Sequence, residues 1–197
     1  MPQDTQLVQI VTDAFADAAR RSGAWLKCGM GCNQCCTGVF AISALDIERL
    51  QHGLAELRQS DPPRAAAVLE RAQAARARLE ATFPGNPVTG ILHEAAEDEE
   101  DPFEDFANEE VCPALDPATG TCDLYDARPM TCRVFGPPVQ SEEGIGLCEL
   151  CFNGAGEDAI LASVLDTSWS PLEDELNREA EARAEHPGRS IVAFALK

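Results

Sequence analysis

The sequence contains few basic residues and no long apolar run. Lys and Arg together number 15 against 34 Asp and Glu, which gives a formal net charge of −19 at pH 7 and a pI near 4.3. Nucleic acids and anionic membranes are bound through clustered Lys and Arg, so this balance makes both poor partners. No stretch approaches the roughly 20 apolar residues that a membrane span needs. We therefore expect a protein that binds neither nucleic acid nor membrane.

Histidines and nucleotide-binding motifs are scarce too. The three histidines, His52, His93 and His186, have no ligand spacing to one another or to a cysteine, so we interpret each as a surface residue. A glycine-rich nucleotide loop is missing, and no grouping of Cys, His and acid indicates a cysteine nucleophile. The sequence therefore favours a binding role and leaves enzyme activity open.

The N-terminus lacks the basic region and continuous apolar run of a secretory signal. We therefore expect the protein to begin here and to be cytoplasmic, in a compartment where thiols stay reduced. Cysteine is nevertheless abundant, and its odd count of nine leaves at least one thiol without a disulfide partner. A disulfide framework in an exported protein is the less favoured alternative. We interpret the cysteines as metal ligands.

The cysteines define the candidate metal site. They are Cys28, Cys32, Cys35, Cys36, Cys112, Cys122, Cys132, Cys148 and Cys151. Thiolates bind zinc, the iron of iron–sulfur clusters and Cu(I). Cys28, Cys32 and Cys35 offer three ligands from one loop. Gly29 and Gly31 give that loop the backbone freedom to wrap an ion.

The adjacent pair Cys35 and Cys36 complicates a single site. Neighbouring side chains of an extended chain point to opposite sides, so we expect these two thiols not to share one ion. One of them would then serve a second metal or pack as a small apolar residue. Two four-ligand sites, or one multi-ligand cluster with structural thiols, both fit the count of cysteines.

Hydrophobic periodicity predicts a mainly α fold with a small β-hairpin and cysteine-rich metal-binding loops, an irregular α+β class. Ser43 and Asp46 have the form of a capping box at the start of one helix. Asp61 and Ser170 each precede a proline and are typical helix starts. The first helix is expected to end at Gly23.

We predict that these elements form a single domain over residues 1–197. The cysteine-cluster core spans residues 28–151 and is followed by a helical C-terminal segment, 157–197. Segment 112–125 is typical of a hairpin with a cysteine on each arm. The last apolar run, 191–196, is expected to form a strand.

Segment 94–110 contains ten acidic residues and no basic residue. We interpret it as an acidic loop that is solvated and kept extended by charge repulsion. The alternative is a docking surface for a basic protein partner or a hard cation, although the spacing is not that of a calcium loop.

The order of the cysteines and their neighbours forms a specific pattern. It comprises the first four cysteines, then Cys112 with Pro113, Cys122, Tyr125, Arg128 with Pro129, Cys132 with Arg133, Phe135 with Gly136, and Cys148. This pattern resembles the YkgJ-type cysteine-cluster family, also called the CxxCxxCC zinc- or iron-chelating domain, over residues 28–151. The eight characteristic cysteines of the family map onto all those present except Cys151, and the first gap is one residue longer than in the family's name. The resemblance implies a thiolate metal site.

Two enzyme classes share part of this pattern. Some flagellin lysine methylases have a similar cysteine cluster, which is associated there with a 4Fe-4S centre. Cys28, Cys32 and Cys35 also have the spacing found in radical-SAM enzymes, which are built on a barrel of alternating strands and helices. This short, helix-rich chain does not predict such a barrel.

Three residues near the later cysteines are candidates for supporting roles. Arg128 and Arg133 could offset the charge of a bound thiolate cofactor or donate hydrogen bonds to sulfur. The alternative for both is a surface salt bridge, for instance with Asp126. We interpret Tyr125 as a packing residue of the hairpin.

Three functions are compatible with these observations. The first is an iron–sulfur protein with a 4Fe-4S cofactor, used for electron transfer, sensing or cluster handling. The second is a structural Zn²⁺ protein whose acidic surface is an interaction module. The third is a metal-trafficking or storage protein, including one for Cu(I). The sequence favours the first by a small margin.

Overall fold

The computed structural model describes residues 2–29, 31–94, 103, 106–141 and 144–197. The chain is 51% helical, and this part of it contains seven helices and three two-stranded antiparallel sheets. The predicted mainly α class with small hairpins is confirmed. None of the described helices combines the length and the apolar character needed to cross a membrane.

Helices and short strands follow one another along the chain. The helices are α1 (Pro2–Ser22), α2 (Ala44–Ser60), α3 (Pro62–Leu79), α4 (Met130–Val134), α5 (Glu157–Ala162), α6 (Ser170–Arg183) and α7 (Val192–Ala195). The strands are β1 (Gly85–Asn86), β2 (Ile91–Leu92), β3 (Leu115–Asp116), β4 (Thr121–Cys122), β5 (Val139–Ser141) and β6 (Gly144–Gly146). They pair as β1–β2, β3–β4 and β5–β6, so each sheet is a local hairpin.

The chain forms two compact units. Unit 1 comprises Met1–Met30 and Met130–Arg178, and unit 2 comprises Gly31–Pro129 and Glu179–Lys197. Each unit contains its own buried apolar clusters. The single domain expected over residues 1–197 stays a prediction.

Unit 1 is built around α1, which packs against α4 and α5. Leu7, Val11 and Ala18 are fully buried, and their spacing of four and seven residues places them on one helical face. Gly23 has a φ of +52° directly after α1, which confirms the predicted helix end.

The core of unit 2 is formed by α2, α3 and α7. Two predicted helix starts are confirmed, because Ser43 and Asp46 form a capping box and the Asp61 side chain accepts the Arg64 N–H. The buried residues of this core are Ile42, Leu50, Leu54, Ala65, Val68, Ala72, Ala114, Leu124, Val192, Ala195 and Leu196. Burying one Leu, Ile or Val side chain stabilises a fold by about 1.5–3 kcal/mol. Cys112 and Cys122 pack against this core, which therefore holds the hairpin segment in place.

The prediction of a strand over residues 191–196 is wrong. This run contains α7, and Ser190 just before it forms an isolated β-bridge with Ile42. The run from Ser190 to Leu196 is buried throughout. Periodicity cannot separate a strand from a helix when every side chain is buried, and the two alanines of α7 favour the helix.

The predicted hairpin is confirmed in β3 and β4, whose register pairs Leu115 with Cys122. The Asp116 side chain accepts two hydrogen bonds from the turn, and Gly120 completes the turn with a φ of +68°. Cys112 lies shortly before β3. The hairpin thus places one cysteine on a strand and one just ahead of its partner strand.

The predicted acidic loop, 94–110, lies mostly outside the described residues. At its described end, Phe106 is buried and meets Phe83 edge to face, with ring centroids 6.0 Å apart. Glu110 forms an ion pair with Arg78 of α3. This end of the segment is therefore anchored on unit 2.

Candidate metal centre

Both units contain predicted ligands. No disulfide joins any two of the nine cysteines. Unit 1 contains Cys28, Cys132, Cys148 and Cys151. Unit 2 contains Cys32, Cys35, Cys36, Cys112 and Cys122. The three-ligand loop expected from the sequence is thus divided, with Cys28 in unit 1 and Cys32 and Cys35 in unit 2.

In unit 1, three thiols lie in a small apolar cluster. We term them the unit 1 thiol group: Cys28, Cys148 and Cys151. Cys28 Sγ lies 4.0 Å from Cys151 Sγ, and the Lys27 N–H points at Cys151 Sγ with an N–S distance of 3.4 Å. Cys148 and Cys151 are 4% and 2% exposed and pack with Phe152. Cys151, which the family pattern does not require, is therefore in direct contact with a cysteine that it does require.

The backbone approaches this group closely at two places. The Cys151 N–H donates to the Cys148 carbonyl at 2.8 Å, which closes a tight turn around the pair. Gly136 has a φ of +129°, and a Cβ at this position would lie 2.6 Å from Cys28 Sγ. Both the conformation and the contact therefore require glycine at this position.

The fourth thiol of unit 1, Cys132, is half-buried on α4. Its neighbour Arg133 is only 6% exposed. A surface salt bridge is therefore the wrong interpretation for Arg133, because the side chain is not on the surface. The alternative, in which Arg133 supports the sulfurs of a bound cofactor, stays a prediction.

In unit 2, four thiols form a second group. We term them the unit 2 thiol group: Cys35, Cys36, Cys112 and Cys122. Cys35 and Cys36 lie in the 3₁₀ turn Gln34–Cys36, so the extended chain assumed for this pair is wrong. The Cys36 thiol donates a hydrogen bond to the Cys35 sulfur. The two adjacent side chains therefore meet instead of pointing to opposite sides.

The other two thiols of this group come from the hairpin. The Cys112 N–H donates to the Cys36 carbonyl at 2.8 Å, and a β-bridge joins the flanking residues Thr37 and Val111. All four thiols interact electrostatically with one another. Cys112 and Cys122 also pack against the apolar core of unit 2. Part of the first cysteine loop and the hairpin thus converge in one place.

Hydrogen bonding and burial shift the thiol pKa values in opposite directions. The hydrogen bond from Cys36 lowers the pKa of Cys35 to about 6 and raises the pKa of Cys36. Burial raises the pKa of Cys112 to about 12 and also raises the pKa of Cys122. The thiolate is the form that binds metals. Cys35 is thus deprotonated and ready to bind a metal at neutral pH. The other three thiols stay protonated until a binding metal displaces the proton.

Arg128 supplies a positive charge to this group. Its field adds to the effect of the Cys36 hydrogen bond in lowering the pKa of Cys35, and it opposes the effect of burial at Cys122. The guanidinium carbon lies 3.8 Å from the ring centroid of Tyr125, and Nη1 donates to the Tyr125 carbonyl at 2.8 Å. Tyr125 is 59% exposed, so the prediction that it packs inside the hairpin is wrong. The ring instead covers the arginine.

The donor chemistry fits a thiolate-bound metal. Among the described residues, no three His, Cys, Asp or Glu side chains converge in a geometry that could already hold an ion. Each group nevertheless offers sulfur ligands only, which suits zinc and the iron of iron–sulfur clusters. Cys32 is exposed. The three histidines are exposed as well, which confirms their interpretation as surface residues: His52, His93 and His186.

Three residues that shape these groups were not identified from the sequence as site residues. Gly136 is one of 14 glycines, and nothing local shows that a sulfur atom approaches it. Arg71 and Asp123 form an ion pair that links α3 to the hairpin. The sequence does not show which distant carboxylate pairs with an arginine on a helix. The position of Asp123 next to Cys122 is a signal that could have marked it as a site residue.

A comparison with protein families identifies one match. The family model "CxxCxxCC: Putative zinc- or iron-chelating domain" matches residues 27–152, which is more than half of the chain. The matched region contains all nine cysteines and confirms the resemblance predicted for residues 28–151. No curated protein and no solved structure matches the chain.

Proposed function

The chain belongs to the CxxCxxCC family of zinc- or iron-chelating domains, and from that premise we propose that it is an iron–sulfur protein. The ligands of a 4Fe-4S cluster would be the unit 2 thiol group: Cys35, Cys36, Cys112 and Cys122. The observation that carries the proposal is the junction of the first cysteine loop with the hairpin, where the Cys112 N–H donates to the Cys36 carbonyl and the four thiols shift one another's pKa values near the positive charge of Arg128. A bound cluster supplies one-electron chemistry.

The surroundings of the unit 2 thiol group suit a redox or transfer role. All four cysteines are half-buried, so a centre held by them is shielded without being sealed from a partner. Solvent exposure, net charge and hydrogen bonds to sulfur are the levers by which a protein tunes such a centre. Arg128 lowers the cost of gathering thiolates in one place. These features support electron transfer, sensing or cluster handling as the role.

Structural zinc is the second candidate, and the burial of Cys148 and Cys151 in the unit 1 thiol group favours it. Structural zinc sites are closed four-ligand sites in which thiolates hold loops together. Cys148 and Cys151 are buried and form a C-x2-C turn, and Cys28 contacts Cys151. Cys132 is the fourth thiol of the same unit. We propose that these four residues bind zinc.

The composition of the chain supports a proposal for its location and one for a partner. Nine cysteines without a disulfide suit a reducing compartment, and we propose a cytoplasmic protein. The acidic residues of segment 94–110 support the further proposal that a basic protein partner docks there.

Metal analysis of anaerobically purified protein tests the proposed function. We expect a brown sample whose visible spectrum is bleached by reduction, with iron and acid-labile sulfide in equal amounts and a smaller amount of zinc. A colourless sample that contains zinc alone overturns the iron–sulfur proposal. A sample whose bound metal is copper overturns both candidates.

A further inference from the structure

Arg71 of α3 joins the two arms of the hairpin that carries Cys112 and Cys122. Its Nε–H donates to the carbonyl of Pro113 at 2.8 Å, and its Nη2 donates to the carboxylate of Asp123 at 2.5 Å. Pro113 directly follows Cys112, and Asp123 directly follows Cys122. One guanidinium therefore bridges the residues next to both hairpin thiols.

The Asp123 end of this bridge is fixed by burial. The Asp123 side chain is 3% exposed and also accepts a hydrogen bond from Arg64 Nε. The backbone N–H of Asp123 donates to the Ala114 carbonyl at 2.7 Å. Moving the carboxylate would break hydrogen bonds to a buried charge, and leaving such a charge without a partner is strongly destabilising. The carboxylate is therefore held in place.

The Pro113 end depends on the shape of the arginine. A guanidinium is planar and presents its N–H groups in a rigid fork, whereas a lysine ammonium is a point charge on a flexible stem. Arg71 Nε and Nη2 therefore fix the Pro113 carbonyl relative to the Asp123 carboxylate. Arg64 reaches the same carboxylate from α3 without contacting Pro113, so it can pair with Asp123 but cannot bridge the arms.

We propose that Arg71 is a positioning residue for the unit 2 thiol group, setting the separation of Cys112 and Cys122 for metal binding without touching the metal. The inference rests on the proposed metal-binding role of this group. It does not depend on whether the native metal is iron or zinc, because the spacing of the two sulfurs matters for either.

The test uses Zn²⁺ as a probe on the full-length, metal-free chain. Zinc is titrated anaerobically, alkylation is carried on until every cysteine of the metal-free protein is labelled, and the protection of each cysteine by zinc is then read by mass spectrometry. The variants are Arg71→Leu and Arg71→Lys, with Arg64→Leu as the matched control on the same carboxylate. Circular dichroism shows whether each metal-free variant remains folded, which separates a loss of affinity from a loss of structure.

We expect both Arg71 variants to weaken the protection of Cys112 and Cys122 about tenfold to a hundredfold, the usual effect of removing a residue that orients metal ligands. Protection of Cys148 and Cys151 should not change, and Arg64→Leu should have a smaller effect than either Arg71 variant. If folded Arg71→Lys shows the same zinc protection of Cys112 and Cys122 as the wild type, the proposal is overturned. A positive charge would then be enough to position the two thiols, without the planar guanidinium.

A double variant covers the case in which Arg71→Leu fails to fold. Arg71→Met combined with Asp123→Asn removes both charges, so no buried carboxylate is left unpaired, yet the link to Pro113 is still lost. We expect the same weakening of zinc protection in this variant, and full protection overturns the proposal. If Zn²⁺ fails to protect Cys112 and Cys122 in the wild type, the proposed metal-binding role of the unit 2 thiol group is overturned.

Discussion

The two thiol groups differ in what surrounds their sulfur atoms. In the unit 1 thiol group, Cys148 and Cys151 are buried and Cys28 is half-buried among apolar side chains such as Phe152, and the Lys27 N–H points at Cys151 Sγ. The unit 2 thiol group is half-buried, contains a hydrogen-bonded thiol pair and lies in the field of Arg128. Similar numbers of cysteines therefore create a more buried, apolar environment in one unit and a half-buried environment with a nearby positive charge in the other.

This difference is the basis for proposing separate roles for the two groups. Enclosure favours a metal that holds loops together and exchanges slowly, as zinc does in closed thiolate sites. Accessibility and nearby positive charge favour a centre that exchanges electrons or is transferred. If the two thiol groups have separate roles, a substitution in one group should remove only the metal bound by that group.

Replacing one ligand in each unit should produce the largest effect. We expect Cys122→Ser to lose essentially all iron and visible colour but to keep its zinc, because a missing thiolate leaves the cluster without a ligand. Cys148→Ser should show the reverse. Iron, zinc and sulfide are measured on anaerobically purified variants. Loss of both metals in both variants contradicts separate roles for the two groups.

Enlarging the glycine beside Cys28 should disturb unit 1 alone. In Gly136→Ala, a side chain must adopt a φ of +129° with its Cβ 2.6 Å from Cys28 Sγ. Backbone strain of this kind costs about 1–3 kcal/mol, so we expect a lower melting temperature and less zinc, with iron unchanged. Thermal denaturation and metal analysis check this.

Gly146→Ala is the matched control for that variant. Gly146 also lies in unit 1, but a Cβ there meets nothing within 4 Å and its φ is not positive. Equal destabilisation by the two substitutions argues against a specific contact at Cys28.

The smallest predicted effect concerns the pH dependence of Cys35 in the metal-free protein. The pKa of Cys35 is lowered to about 6, so its reactive thiolate is present above that pH and disappears as the pH falls through it. The pKa of Cys112 is raised to about 12, so at neutral pH Cys112 should be alkylated far more slowly than Cys35. Alkylation rates measured for each peptide across pH check both expectations.

Arg128 provides the way to sharpen this test. Arg128→Met removes a positive charge, so the alkylation midpoint of Cys35 should move to higher pH, while Arg128→Lys should restore part of the shift. The main cause of the low pKa, the hydrogen bond from Cys36, is retained in both variants. An unchanged midpoint in Arg128→Met contradicts the electrostatic role of this arginine.

Local signals predicted much of the fold. The capping box at Ser43 and the cap at Asp61 act over a few residues, so the sequence shows them directly. The turn between β3 and β4 is equally local. The strand expected at 191–196 failed because burial on all sides removes the periodicity on which such a prediction depends.

The arrangement of the site was harder to predict because it depends on contacts between distant residues. Cys28 and Cys151 are in contact across 123 positions, and nothing local marks Cys151 as a partner. The 3₁₀ turn at Cys35 and Cys36 reversed an expectation that assumed an extended chain. The family pattern identified the candidate ligands, whereas the fold determined their neighbours.

The most direct test of the central claim is to map the iron ligands in protein purified anaerobically. Iron is removed with an iron(II) chelator, and newly alkylated cysteines are identified by mass spectrometry. When alkylation is carried to completion, we expect Cys35, Cys36, Cys112 and Cys122 all to become labelled on iron removal, while Cys148 and Cys151 stay protected by zinc. Exposure of Cys148 and Cys151 on iron removal, with Cys112 and Cys122 unchanged, would contradict the central claim.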